Sequence, residues 1–74
     1  MTTVETTAEV DQIGLTAGLI WGRLNSNGPA KMSELVKEID APRDLVMQAV
    51  GWLAREHKIM ITLQSRTRTV ELVE

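Results

Sequence analysis

The spacing of apolar residues changes once along this chain, close to His57, and the change limits what the chain can fold into. Before it, apolar residues recur every three or four positions, as in helices that bury one side. After it, branched aliphatic residues recur at every second position, as in strands: Ile59, Ile61 and Leu63, and then Val70 and Leu72. The predicted elements are helices at Ala8–Asn25, Glu34–Ile39 and Pro42 to about His57, followed by strands at Ile59–Leu63 and Val70–Val73.

Turn-forming residues separate these elements. Gly28 and Pro29 end the first helix, because glycine tolerates left-handed backbone and proline cannot continue a helix. The next residues, Ala30–Met32, are expected to form an extended connector or a very short strand, and Ser33 is expected to cap helix 2. Gln64–Thr69 lacks the Asn-Gly or Asp-Gly pair of a tight turn, so a longer, mobile loop is expected there.

The order of the elements is helix, brief strand, helix, turn, helix and two-stranded hairpin. Asp40, Ala41 and Pro42 form the short turn between helices 2 and 3. This order predicts an α+β winged helix-turn-helix fold, with a short strand before helix 2 and the hairpin as the wing. We expect one domain over residues 8–74 and a disordered N-terminus over residues 1–7.

The helical pattern also predicts which side chains form the core. In helix 3 the predicted core side chains are those of Leu45, Ala49, Val50, Trp52 and Leu53. Trp21 and Trp52 each fall on the apolar side of their helix wheels, so both are expected to be largely buried. Gly14, Gly18 and Gly22 recur every turn of helix 1, and we interpret them as making room for helix 3 and the Trp52 ring.

Composition argues against several classes of protein. The chain of 74 residues has no Cys and a single His, His57, so neither a disulfide framework nor a clustered metal site is expected. His57 also has no nucleophile partner, which predicts a protein that is not an enzyme and needs no cofactor. The N-terminus lacks the features of a signal peptide, and no apolar run approaches about 20 residues. A cytoplasmic location without membrane contact is expected.

Particular residues resemble a known group. They are Ile13-Gly14, Ala17-Gly18, Ile20-Trp21, Leu24, Gly28, Leu35, the run Gly51-Trp52-Leu53-Ala54-Arg55-Glu56, and Ile59. This pattern resembles a family of small prokaryotic winged helix-turn-helix domains of unassigned function. The resemblance implies the fold and a role in binding nucleic acid or protein, and it implies no reaction. Pro42 and the His57-Lys58 pair depart from the pattern.

The first functional hypothesis is a transcriptional regulator that binds double-stranded DNA. Helix 3 would enter the major groove and the wing would contact the DNA backbone. The net charge of −2 gives no general attraction to phosphates, so binding must depend on where the charges lie. The candidate DNA-binding residues are Arg43, Gln48, Arg55, Lys58, Arg66 and Arg68.

The alternative is a protein-interaction or dimerisation module on the same fold that does not bind DNA. Leu15 and Leu19 lie one turn apart on the outer side of helix 1, where they could contact a second copy, another protein or the chain's own terminal segment. Met47, Gly51 and Ala54 form a smooth apolar strip on helix 3 that could contact a partner.

Overall fold

The computed structural model describes the backbone of residues 2–73 and the side-chain surroundings of residues 11–73. The elements are α1 (Thr2–Asn27), β1 (Ala30–Lys31), α2 (Met32–Glu38), α3 (Arg43–Arg55), β2 (Ile59–Gln64) and β3 (Thr67–Leu72). This order confirms the predicted α+β architecture of three helices, a short strand before the second helix and a hairpin after the third.

The first helix is longer than its periodicity predicted, since it begins at Thr2 instead of Ala8. It ends at Asn27, two residues after the predicted Asn25, and Gly28 terminates it as expected: Gly28 has a φ of 84°, and its amide donates to the carbonyl of Leu24 at 2.8 Å. A left-handed glycine in this place satisfies a carbonyl of the last turn. Met1 lies outside the described residues. The bounds of a helix do not test whether a segment is mobile. The predicted disorder of residues 1–7 therefore stays a prediction.

The second helix begins two residues earlier than predicted, and the proposed capping role of Ser33 is wrong. Lys31 is the residue before the helix, because β1 leads into α2 without a linker. Its amide donates to Glu34 Oε1 at 2.8 Å. The carboxylate of Glu34 therefore takes one of the backbone donors that a helix start leaves without a partner.

The third helix starts after Pro42, which is its cap residue instead of its first residue, and it ends at Arg55. The amide of His57 donates to the carbonyl of Ala54, and the amide of Lys58 to that of Leu53, both at 3.0 Å. His57 has a φ of 61°. These bonds form a Schellman motif, in which His57 occupies the left-handed position that glycine usually fills. His57 thus has a structural place at the turn into β2.

The three strands form one antiparallel sheet in the order β1-β3-β2, so the last strand in sequence is the central one. Val70 of β3 pairs with Ala30 on one side and with Ile61 on the other. β2 is consequently an edge strand. The sheet closes one side of the core, and Val70 is fully buried there.

The turn of the hairpin is much tighter than predicted. Gln64 pairs with Thr67, which leaves only Ser65 and Arg66 between the strands. Both have positive φ, 50° and 68°. Two left-handed residues are what a two-residue type I′ hairpin requires. The expected long loop over residues 64–69 is wrong because Ser65 and Arg66 adopt this backbone without help from asparagine or glycine.

The core lies between the three helices and the inner side of the sheet. Its most completely buried large side chains are Ile20, Leu35, Val46, Val50 and Val70. The largest contact between two helices is that of α1 with α3. Because both helices and β3 contribute, the core orients α3 relative to the hairpin.

The predicted burial of the two tryptophans is wrong. Trp21 is 43% exposed and Trp52 is 44% exposed. Each stands at the border of the buried side of its helix, where Ile20 and Leu53 fill the core beside it. On α3 the buried position belongs to Val46, whereas the predicted core residue Leu45 is only half-buried.

Candidate functional site

An open cleft of about 620 Å³ lies where α2, the start of α3 and the turn of the hairpin meet. We call it the basic cleft, because it is lined by the cationic residues Lys31, Lys37, Arg43, Arg66 and Arg68. These are five of the eight Lys and Arg residues of a chain whose net charge is −2. None of the described residues that line the cleft is acidic. The positive charge is therefore concentrated on one side of the molecule.

Strand pairing and the packing of the helices beside the sheet bring these cations together. Lys31 of β1 pairs with Thr69 of β3, which places it beside Arg68 although 37 positions separate the two residues. Arg66 belongs to the hairpin turn, and Arg43 is the first residue of α3. The cleft thus depends on contacts between segments that are distant in sequence.

The floor of the basic cleft is partly apolar. Met32, Val36 and Met47 line it between the charged side chains, and all three are half-buried. A low-dielectric floor under like charges concentrates their field toward the opening. The arrangement suits a ligand that carries several negative charges.

The remaining cations lie elsewhere. Arg23 of α1 forms an ion pair with Glu38 of α2 and donates to the carbonyl of Gly28 at 3.2 Å, so it joins the two helices. Arg55 is exposed near the end of α3 and does not line the basic cleft. Lys58 lines a different groove, described below.

Three of the six candidate DNA-binding residues, Arg43, Arg66 and Arg68, meet in the basic cleft. Gln48 is exposed on α3 but, like Arg55 and Lys58, it is not part of the lining. Sequence reasoning missed Lys31 and Lys37. The signal that could have found Lys31 is its position in the short strand before helix 2, since a strand there must pair with the hairpin.

A second groove, of about 360 Å³, runs between α1 and α3. We call it the glycine groove and define it by Gly14, Gly18, Trp21, Trp52 and Lys58. Within the described part of the chain, a Cβ added at Gly14, Gly18 or Gly22 would meet no heavy atom within 4 Å beyond its own surroundings in α1. The interpretation that these glycines make room for helix 3 is therefore wrong.

The candidate partner-contact residues lie in two places. Leu15 and Leu19 are exposed on α1, at 73% and 55%, next to the glycine groove. The strip on α3 is less uniform than predicted. Met47 lines the basic cleft, Gly51 is exposed, and Ala54 packs partly against the core.

Among residues 11–73, no three His, Asp or Glu side chains come together in a way that could hold a metal ion. Over the same described part of the chain, no helix is both long and apolar enough to cross a membrane.

Two helices joined by a short turn, a preceding helix that packs on them and a hairpin beside the recognition-helix position define a winged helix-turn-helix domain. The chain belongs to the family described as winged helix-turn-helix domain (DUF2582), whose model matches residues 8–72. This match confirms the family resemblance seen in the sequence.

Solved structures share this fold. The solution NMR structure of protein BT2368 from Bacteroides thetaiotaomicron is 29% identical over 84% of this chain and 76% of that one, with a TM-score of 0.75. The crystal structure of the ArsR family transcriptional regulator RHA00566 is 28% identical over 90% of this chain and 73% of that one, with a TM-score of 0.64. The comparison with curated proteins finds no match.

Proposed function

We propose that this domain binds double-stranded DNA through the basic cleft and acts as a transcriptional regulator. The observation that carries the proposal is the gathering of five cations in one cleft of a chain that is acidic overall. Phosphate contacts supply most of the affinity of non-specific DNA binding, and they need such a local concentration of charge. Similarity to a transcriptional regulator of the ArsR family supports the same role.

The elements suggest how the contacts divide. Arg66 and Arg68 on the hairpin would contact phosphates or a narrow minor groove, and Lys31 and Lys37 would contact phosphates beside them. The exposed side of α3 would enter the major groove. There Arg43 and Gln48 are of the residue types that form paired hydrogen bonds with purine edges.

The test is the salt dependence of binding to a mixed-sequence duplex. If five phosphates are neutralised, the plot of log affinity against log salt should have a slope of about −4.5. Replacing Arg66 and Arg68 by Ala should make that slope shallower by about two units.

A matched control is available in Arg55→Ala with Lys58→Ala. This pair removes the same charge from residues that lie outside the basic cleft, so it should leave the slope unchanged. If both double variants made the slope shallower by the same amount, DNA binding would depend on the total charge of the protein and not on the basic cleft. Absence of binding by the unchanged protein at about 50 mM salt, where phosphate contacts are strong, would end the proposal.

The second candidate function is an interaction module whose cleft holds a protein instead of DNA. The apolar floor formed by Met32, Val36 and Met47 favours it, because such side chains can bury an apolar residue of an acidic segment. This candidate becomes the leading one if duplex DNA does not bind.

A further inference from the structure

The side of α1 that points away from the core is apolar. From Gln12 to Gly22 the helix has no charged residue, and its one hydroxyl residue in that stretch, Thr16, is buried. Leu15, Leu19 and Trp21 are exposed instead. A helix that is apolar all round is usually buried all round, yet α3 and the sheet cover only one side of this one. The exposed side therefore has the composition of a contact surface.

The exposed side has a ridge next to a groove. Asp11, Leu15 and Leu19 follow each other at four-residue spacing and form a row along the helix, which we call the leucine ridge. The glycine groove lies beside it; the exposed Gly14 and Gly18 line it together with both tryptophans. A two-fold contact uses the same patch on both copies, so the patch must carry both a protruding part and a recess. This patch has both.

The leucine ridge and the glycine groove also carry charges of opposite sign. The leucine ridge begins with a carboxylate, Asp11, whereas the glycine groove is bordered by an ammonium group, Lys58. If the ridge of one copy enters the groove of another, Asp11 of each copy is brought to a groove that Lys58 lines, so the contact can pair opposite charges twice. Charge complementarity of this kind favours one partner and one register.

We propose that this surface is a homodimer interface, in which the leucine ridge of each copy packs into the glycine groove of the other. The glycines then have a function. Each costs helix stability relative to alanine, and no contact within the described chain requires it, but a Cβ at Gly18 would fill the groove that receives the partner's leucines. The proposal does not depend on DNA binding, because the groove and the basic cleft share no lining residue.

The size of the patch sets the expected affinity. The exposed parts of four side chains, those of Leu15, Leu19, Trp21 and Trp52, give an apolar patch on the order of 400 Å². This is about half of the area that one partner buries in a standard interface. Because the patch is smaller than a standard interface, we expect a weak dimer that forms only at high protein concentration.

Sedimentation equilibrium from about 1 µM to 1 mM is the direct measurement, and it should show the mass rising from one copy toward two. Tryptophan emission gives a second readout. Trp21 and Trp52 are the only aromatic residues of the chain, and both border the groove. Their emission should move to shorter wavelength over the same concentration range. A single-copy mass throughout the range would overturn the proposal.

Substitutions locate the interface. Leu15→Glu should abolish dimerisation without loss of folding, because Leu15 is 73% exposed. The matched control is Leu63→Glu, since Leu63 is 65% exposed but lies on the edge strand β2. If Leu63→Glu dissociates the dimer and Leu15→Glu does not, the copies pair through β2 and the proposal is wrong.

Gly18→Ala tests the groove itself, since it should have opposite effects on the monomer and on the dimer. In the monomer the added methyl meets open space and favours the helix, so the melting temperature should rise or stay unchanged. In the dimer it should weaken association about tenfold, which corresponds to about 1.4 kcal/mol. Gly22→Ala, at another open glycine of α1 that does not line the groove, is the control. Unchanged association of the Gly18 variant would overturn the proposed packing.

The charged ends allow a rescue experiment. Asp11→Lys and Lys58→Asp should each weaken the dimer about fivefold, because each places like charges together. The double variant restores opposite charges, so its association should return to within about twofold of the unchanged protein. Additive losses in the double variant would contradict the proposed register.

Discussion

The basic cleft and the exposed side of α1 differ in how the chain builds them. The cleft is charged and combines cations of β1, α2, α3 and the hairpin, which strand pairing and helix packing together bring close. The leucine ridge and its glycines belong to one uninterrupted stretch of helix. Charged side chains are well solvated without a partner, whereas a contiguous patch of large apolar side chains costs free energy when it faces water. The cleft can therefore stay open to water until a ligand binds, whereas a partner that covered the proposed interface on α1 would lower its free energy.

The largest effect on stability is expected from a substitution on the buried side of α1, compared with one on its exposed side. Ile20 is fully buried and its neighbour Leu19 is 55% exposed. Ile20→Ala should lower the free energy of unfolding by about 2–5 kcal/mol, enough to unfold much of a domain this small. Leu19→Ala should change it by about 0.5 kcal/mol at most when measured on the monomer. Urea unfolding at low protein concentration measures both, and equal losses would mean that α1 is oriented differently.

The next prediction tests whether the two surfaces are independent. Lys31→Ala with Lys37→Ala should make the salt dependence of DNA binding shallower by about two units, since each lysine neutralises one phosphate. The same double variant should leave self-association unchanged, because neither lysine lines the glycine groove. A change in dimer mass would show that the surfaces are coupled. An unchanged slope would remove both lysines from the DNA interface.

A smaller effect is expected at the hairpin turn, where stability and charge compete. Arg66 has a φ of 68°, a backbone conformation that costs a residue with a side chain about 1–2 kcal/mol. The pair Ser65→Asn and Arg66→Gly has the preferred sequence of this turn type and should raise the free energy of unfolding by about 1 kcal/mol. It should also make the slope of log DNA affinity against log salt shallower by about one unit. A destabilised variant would contradict the left-handed turn.

The smallest effect is expected at the ion pair of Arg23 and Glu38. The Glu38 side chain is 46% exposed, so solvent screens the pair. Glu38→Gln should change the free energy of unfolding by less than about 1 kcal/mol, and the loss should shrink in salt. DNA binding should not change, because Arg23 lies outside the basic cleft. A clear gain in affinity would instead place Arg23 within reach of DNA.

The parts of the fold that follow local rules could be predicted from the sequence. Three-to-four spacing indicated the helices, alternation indicated the strands, and Gly28 with Pro29 marked the end of α1. Leu15 and Leu19 were recognised as exposed because their place on a helix depends only on the spacing of neighbouring residues.

The predictions that failed concern features that depend on contacts between distant residues or on unusual local backbone conformation. Trp21 and Trp52 lie at the borders of their helix faces, where the position of the neighbouring helix decides burial and periodicity does not. Lys31 joins Arg68 only through the pairing of β1 with β3. The hairpin turn was missed because Ser65 and Arg66 are not residues that usually adopt positive φ.

The central position of β3 has a consequence for synthesis of the protein. β1 has β3 as its partner, so neither the sheet nor the basic cleft can form before Leu72 has left the ribosome. At about 5–20 residues per second, α1 is complete several seconds earlier. A nascent or interrupted chain that stops before Thr67 therefore carries the apolar surface of α1 without the charged cleft. Such fragments are the species that chaperones and proteases should recognise, and they lack the surface proposed to bind DNA.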